Sequence, residues 1–495
     1  MSARIPTNPP ARQLVDGKLT EAADGATYPI LNPATGQQIG VAPDSTADDV
    51  EAAIAAARRA FDETDWSTNL ELRVRCLRQL HAALVDNAEI MRDLTVAEVG
   101  APAFFTTGPQ YDAPVETLKW VTDLAETYEW ETDLGIGVTM GVQSHRTVRR
   151  EAVGVVAAIT PWNFPNQINL AKVGPALAAG CTVVLKPAPD TPWLAAELGR
   201  LVAEHTDIPA GVLNVVMPRD NAVAAQLTSD PRIDLVSFTG STATGRAIAA
   251  AAAPTLKKVF LELGGKSAAI VLDDADVAAA AGMAAFSVSV HAGQGCALTT
   301  RLVVPRESYD EAVEAAAGTM AMLGAKDPAD GGTICGPVIS EIQRDRVKAY
   351  LDLAVEEGGR FATGGTLAEQ EGDLAGGFWI EPTVIAGLDN SARVAREEIF
   401  GPVLVVIAHD GDDDAVRIAN DSDFGLSGSV DSGDPDRARA VANRIRTGTL
   451  GINGGQWFGA DAPFGGYKQS GIGREMGVAG FEEYLETKTI AEGVK

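Results

Sequence analysis

Cys296 lies in the segment 291–301, HAGQGCALTTR, flanked by glycines at the end of a helical pattern. A solitary cysteine is most often a small core hydrophobe. Gly293 and Gly295 alter its setting, because residues without a Cβ let backbone approach closely and leave a thiol reachable. A reachable thiol that can be held as thiolate is a nucleophile. Cys181 lies in an apolar run and Cys76 in a helical one, so both read as core; Cys335, before Gly-Pro, reads as a structural residue in a turn. Glu262 ends the apolar run of LELGGKS (261–267). A carboxylate there either closes a salt bridge or faces a cavity, where burial would raise its pKa toward that of a general base. Asn163 sits in TPWNFP (160–165). It reads as a turn residue between prolines or as an amide donor to an oxyanion.

A second group of residues suits a phosphate-bearing ligand. FTGSTATG (238–245) is a strand-to-helix turn with Gly240 and Gly245 on either side of Ser241. Small residues there leave room for a pyrophosphate at a helix N-terminus, and a plain N-cap is the other reading. Lys186, ending VVLKP, either reaches ribose hydroxyls or snorkels to the surface. The five histidines are scattered without an HxxxH pair, and the four cysteines show no short ligand spacing, so no metal site is expected.

These residues need a scaffold. From 153 to 265 short apolar runs alternate with helical segments: 153–160, 181–187, 213–218, 235–240 and 258–265 read as strands, and 170–179, 193–205, 222–227 and 243–253 as helices. Near-continuous apolar strands in β-α alternation imply a parallel sheet covered on both faces, with ligands beyond the strands' carboxyl ends. A second α/β series follows, with strands at 267–272, 301–305, 403–409, 428–430 and 449–453 and helices at 277–290, 309–323 and 343–357. Residues 1–45 read as an extended arm with short strands and 48–98 as helical.

The bulk composition narrows the class. The chain has 495 residues, 40 of them basic and 67 acidic, for a net charge of −27. Such a field repels nucleic acid and anionic membranes; it fits a well-solvated acidic surface or an adaptation to high salt. Few thiols argue for a reducing compartment, the N-terminus lacks an apolar signal core, and the Ala-rich run 277–290 is too short to span a bilayer, so a cytoplasmic protein is expected.

In their joint order, PWNFP (161–165), VVLKP (183–187), FTGST (238–242), ELGGKS (262–267), GQGC (293–296) and EEIFGPV (397–403) resemble the aldehyde dehydrogenase superfamily, as do NDSDFGLSGSV (420–430) and PFGGYKQSGIGRE (463–475). The resemblance covers nearly the whole chain. It implies a Rossmann-like cofactor domain (1–130 and 153–264), an α/β catalytic domain (265–475) and a β bridging element (131–152 and 476–495) that pairs subunits into a homodimer or homotetramer. It implies that Cys296, as thiolate, attacks an aldehyde, that the Asn163 amide and the Cys296 backbone N–H hold the oxyanion, that hydride passes to NAD(P), and that Glu262 activates water to release the acid. Lys186 would hold the adenosine ribose, Ser241 with Gly240 and Gly245 the pyrophosphate, and Glu398 the nicotinamide ribose, with Phe400 packing nearby. Trp162 and Lys172 would line the cofactor cleft.

Some positions depart from the family pattern. Pro189 stands where NAD-preferring members carry a glutamate, with Asp190 next and no new Arg or Lys beside it. NAD is expected and NADP stays open. The MPRD loop replaces a common Gly-rich turn. Gly295 and Ala297 are small neighbours for Cys296, while Phe164, Trp457, Phe458 and Phe464 would add aromatic walls, so a medium or large apolar or aromatic aldehyde is expected. Rival readings are a CoA-acylating relative, which the presence of Glu262 disfavours, a cysteine hydrolase or acyltransferase using His291, and a catalytically silent relative.

Overall fold

Apolar runs alternating with helices build two separate sheets in the computed structural model, which describes residues 12–494. The first sheet has eight strands. Its parallel centre is Leu213–Val215, Thr182–Lys186, Val155–Ile159, Leu235–Thr239 and Lys258–Glu262, in that spatial order. Strand order reverses beside Val155–Ile159, so the chain diverges on either side of it and opens a crevice at the carboxyl ends. The register aligns Ile159 with Lys186 and Thr239 with Glu262, which brings three chemistry-bearing strand ends to one rim.

The covering helices start and stop where local chemistry dictates. Pro165–Ala179 begins with proline at its first turn, where no N–H is needed, and ends at Gly180 with φ 99°. It therefore starts five residues ahead of the periodicity-based expectation, two residues after Asn163. Trp193–His205 follows Pro192, which offers no capping side chain; the buried Glu98 carboxylate accepts the Trp193 and Leu194 N–H groups instead, at 3.0 and 2.9 Å. The helical stretch expected over 48–98 divides into Ala47–Glu63, Leu70–Asp86 and Ala88–Val99, with Asn69 capping the second through the Leu72 N–H. The extended arm supplies Gln13–Val15 and Lys18–Thr20 to the sheet edge.

The second sheet has seven strands, with Thr383–Ala386, Val403–His409, Arg301–Pro305, Ala268–Val271, Gly428–Asp431 and Gly451–Ile452 parallel and Arg360–Thr363 antiparallel at one edge. Only the turn Leu263–Ser267 separates Glu262 of the first sheet from Ala268 of the second. Apolar cores fill both faces of each sheet. The chain also crosses back, since Gly471–Ile472 pairs with Leu261 and Glu262 at the edge of the first sheet.

A third sheet joins Glu131–Thr139, Val142–Ala152 and Leu485–Gly493 in antiparallel pairing. The tail expected to bridge from 476 first returns to the core: Phe481 and Tyr484 are buried there, and the strand begins only at Leu485. Among the described residues no helix is long and apolar enough to cross a membrane.

Candidate active site

The helix Val277–Ser289 delivers the chain to Cys296 through an uncommon backbone. His291, Ala292 and Gly293 have φ of 50, 52 and 71°. Left-handed non-glycine residues cost about 1–3 kcal/mol each, so the surroundings must hold them. Gly293 has no room for a side chain, because a Cβ would lie 2.0 Å from the Gly401 carbonyl oxygen. Gln294, wholly buried, ties the turn down: its Nε2 donates to the His291 and Pro337 carbonyls at 3.1 and 3.3 Å, and its Oε1 accepts the Ile339 N–H at 2.8 Å. Cys296 emerges half-buried, while Cys76, Cys181 and Cys335 are buried.

Glu262, the last residue of its strand, is fully buried, and neither of its carboxyl oxygens has a geometric hydrogen-bond partner. Burial, then the nearby Glu475 carboxylate, push its pKa up to about 8 against the easing influence of the Cys296 thiol and Lys172. Burial and then Glu262 push the thiol well above its ordinary value, with Glu398 and Glu475 adding to the effect. Both influences favour the neutral thiol over the thiolate.

Asn163 lies between the strand end at Ile159 and the helix at Pro165, 6% exposed. Its backbone carbonyl meets Gln110 Nε2 and His291 Nε2, each at 3.0 Å. Its side-chain Nδ2 donates to the Gln294 carbonyl at 2.8 Å. One of the two amide hydrogens is thus used for positioning and the other is available to an oxyanion. His291 is occupied in this network, its ring edge-on to Phe164, and burial lowers its pKa to about 4. Its Nδ1 is buried without a hydrogen-bond partner.

One cavity of about 590 Å³ joins these groups to most of the expected ligand-binding residues. On one side it is lined by Trp162, Gly240, Ser241, Glu398 and Phe400. Trp162 meets Phe400 edge to face at 5.3 Å, and Glu398 accepts the Gly265 N–H at 3.0 Å. Ser241 caps Thr242–Ala252 by accepting the Thr244 N–H at 3.2 Å. Gly245 lies beneath the rim; a Cβ there would stand 2.6 Å from Leu263 Cδ2, so glycine lets helix and strand close up. Lys186 lies outside the cavity lining, its Nζ donating to the Pro187 carbonyl at 3.0 Å. Burial lowers its pKa to about 8, against the pull of Asp190. The buried Thr239 hydroxyl at the same rim has no partner. This cradle of small residues, a helix N-terminus and a facing carboxylate fits a dinucleotide.

The opposite side is lined by Phe164, Trp457, Phe458 and Phe464. Trp457 stacks on Phe464 at 5.4 Å with 5° between planes. Cys296, Ala297 and Trp457 pack against Leu426, Phe464 and Met476.

Lys172 does not line the cleft as expected. It is fully buried, with Nζ 2.8 Å from Glu475 Oε1, 3.2 Å from Ser237 Oγ and 4.6 Å from the Phe260 ring centroid. Glu475 does reach the cavity. The positioning residues Gln110 and Gln294 and the Lys172–Glu475 pair were missed in the sequence, where only a buried glutamine between two glycines offered a signal. Among the described residues no cluster could hold a metal ion.

The aldehyde dehydrogenase family model matches residues 19–490. The chain is 40% identical to a 3-succinoylsemialdehyde-pyridine dehydrogenase of a Pseudomonas species, covering 96% of this chain and 97% of that one. It is 40% identical to geranial dehydrogenase of Castellaniella defragrans, over 93% and 94%. The structure superposes on betaine aldehyde dehydrogenase of Staphylococcus aureus in complex with NAD+ at a TM-score of 0.95, 34% identity and coverage of 99% and 97%. It superposes at a TM-score of 0.92 on a cysteine-to-alanine mutant of aldehyde dehydrogenase C from Pseudomonas syringae complexed with NAD+ and octanal, at 39% identity and 99% and 98% coverage. The chain belongs to the aldehyde dehydrogenase family.

Proposed function

We propose that Cys296 is the nucleophile of an NAD(P)-dependent oxidation of aldehydes to carboxylic acids. The observation that carries this reading is that Cys296 lines one cavity with Asn163 and with a buried Glu262 carboxyl group whose oxygens have no hydrogen-bond partner. Cys296 Sγ bonds to the carbonyl carbon as its proton passes to Glu262. The oxyanion is held by the free Asn163 amide hydrogen and the Cys296 backbone N–H. A bound NAD(P) would supply the acceptor for the hydride of this carbon. Cys296 then carries a thioester. Glu262, once deprotonated, takes a proton from the attacking water, and the acid departs as the thiol re-forms.

The cofactor would be held by Trp162, Lys186, Gly240, Ser241, Gly245, Glu398 and Phe400, within a body formed by residues 1–130 and 153–264. NAD is favoured because two similar structures contain NAD+ and no added cation stands beside Pro189. The aromatic wall of Phe164, Trp457, Phe458 and Phe464 supports a medium or large apolar or aromatic aldehyde. The third sheet exposes Leu134, Ile136 and Val138 on one face of Glu131–Thr139, which supports subunit pairing into a homodimer or homotetramer.

Reduced-nicotinamide formation with a panel of aldehydes tests the assignment. Cys296→Ala is expected to abolish it, and activity surviving in that variant refutes the nucleophile. Turnover that requires CoA would replace hydrolysis with acyl transfer.

A further inference from the structure

The cavity extends past Cys296 into a branch between the second sheet and the helix Val277–Ser289. Ala269, Ser429 and Gly451 stand side by side on three adjacent strands and form a row of small side chains on its floor. Across from them the helix presents Ala280, Met283, Ala284 and Ser287, the i, i+3, i+4, i+7 spacing of one face. Apart from Met283, the residues on both walls are small, which keeps the branch open. Two residues beyond Ser429, on the same face of its strand, the row ends at Asp431, which lines the same cavity. Gly428, at the start of that strand, also lines it, so the branch runs about 10 Å along Gly428–Asp431.

Asp431 is a half-buried carboxylate on this wall, and among the described residues no side chain hydrogen-bonds to it or pairs with it. Burial is the one influence on its titration, raising its pKa with no cation or hydrogen-bond donor to oppose it. Arg437, the cation nearest in sequence, is bound to Asp273, Asp274 and Asp412. Trp457 stands at the edge of the same branch, its Cδ1 3.9 Å from where a Gly451 Cβ would be.

Building on the oxidation assigned to Cys296, we propose that Asp431 is a specificity-determining residue that receives a cationic nitrogen at the far end of the aldehyde. The substrate class is then a long aldehyde with an apolar body, lying between the small-residue row and the aromatic wall, and an ammonium or protonated heteroaromatic terminus. Cys296 and Asp431 line one cavity, so only a chain long enough to reach both gains from both.

The test uses the full-length enzyme and pairs of aldehydes of increasing length. One member ends in a trimethylammonium group and the other in the uncharged tert-butyl group of the same shape. The expected result is a cation-to-neutral ratio of kcat/KM near one for short pairs, rising to about tenfold or more once the chain spans the branch. In Asp431→Asn the long-chain ratio falls toward one, through KM more than kcat. The acidic surface attracts every cation regardless of length, so the length threshold and its loss in the variant separate Asp431 from the general field. A ratio that stays flat with length, or survives in Asp431→Asn, overturns the proposal. If the variant does not fold, the length series in wild type decides alone. Absence of turnover with both members of every pair, and with octanal, would instead overturn the assignment at Cys296.

Discussion

Replacing Glu262 with glutamine should destroy activity and strengthen the fold. The carboxyl group titrates at about 8 in the folded protein against an ordinary value of 4.5. That difference of 3.5 units corresponds to about 5 kcal/mol. The folded chain holds this proton more tightly than the unfolded chain. Its stabilising effect is therefore complete below about pH 4.5 and is lost as pH rises through about 8. Glutamine has the same shape, and the acid it replaces is itself without hydrogen bonds, so little else changes. Glu262→Gln should match wild type in stability near pH 4.5 and exceed it at pH 9 by up to about 5 kcal/mol, read from denaturant midpoints. Activity moves the other way. If Glu262 must be ionised, wild-type turnover rises about tenfold per pH unit up to about 8 and then levels, with roughly a tenth of the sites competent at pH 7. The variant should lose about 10²–10⁴ in kcat and the inflection with it. A variant that keeps the inflection near pH 8, or gains no stability at pH 9, would refute both the burial argument and the role of base.

Three further outcomes are expected. Asn163→Ala should lower kcat by about 10²–10³ with a smaller change in KM, measured by steady-state kinetics; an unchanged kcat would remove the amide from the oxyanion site. Lys172→Met strands the buried Glu475 carboxylate and should cost about 3–5 kcal/mol in denaturant unfolding, with partial recovery in Lys172→Met/Glu475→Gln; a loss below about 1 kcal/mol would show the pair to be incidental. Ile136 and Val138 are 63% and 65% exposed on one strand face, and converting both to lysine should shift the sedimentation of the protein to a smaller species if this sheet pairs subunits.

The sheet strands and their helices were legible because apolar runs of strand length lay between helical repeats, and the strand at 403–409 and the helices at 193–205 and 309–323 begin and end where periodicity places them. The candidate site was legible as a set of residues, not as a geometry. Asn163 was singled out by its prolines, yet what fixes it is Gln110, Gln294 and His291, which meet it only through the fold. Lys172 was placed in the cleft by the family resemblance alone; its partner Glu475 lies 303 residues away, and no local pattern announces that pairing. Asp431 carries no signal in the sequence beyond following the strand expected at 428–430. Its position at the end of the Ala269–Ser429–Gly451 row depends on the register of three strands.

The same distinction governs the thiol. Local sequence describes Cys296 as accessible, but reactive cysteines usually sit in electropositive surroundings, and this one is ringed by Glu262, Glu398 and Glu475. A thiol and a carboxyl group in such contact titrate as a pair, so the first proton to leave belongs to both. That loss falls near pH 8, the value at which Glu262 ionises, and it yields a minor tautomer with the thiolate beside a protonated acid. With glutamine at 262 the proton has no acceptor, and burial, Glu398 and Glu475 still hold the thiol above its ordinary value. Alkylation of Cys296 by iodoacetamide, followed by mass spectrometry, should therefore rise in wild type with an inflection near pH 8 and in Glu262→Gln only at higher pH. Equal labelling of the two at neutral pH would mean that the thiolate forms without Glu262, and the carboxyl group would then serve the water alone.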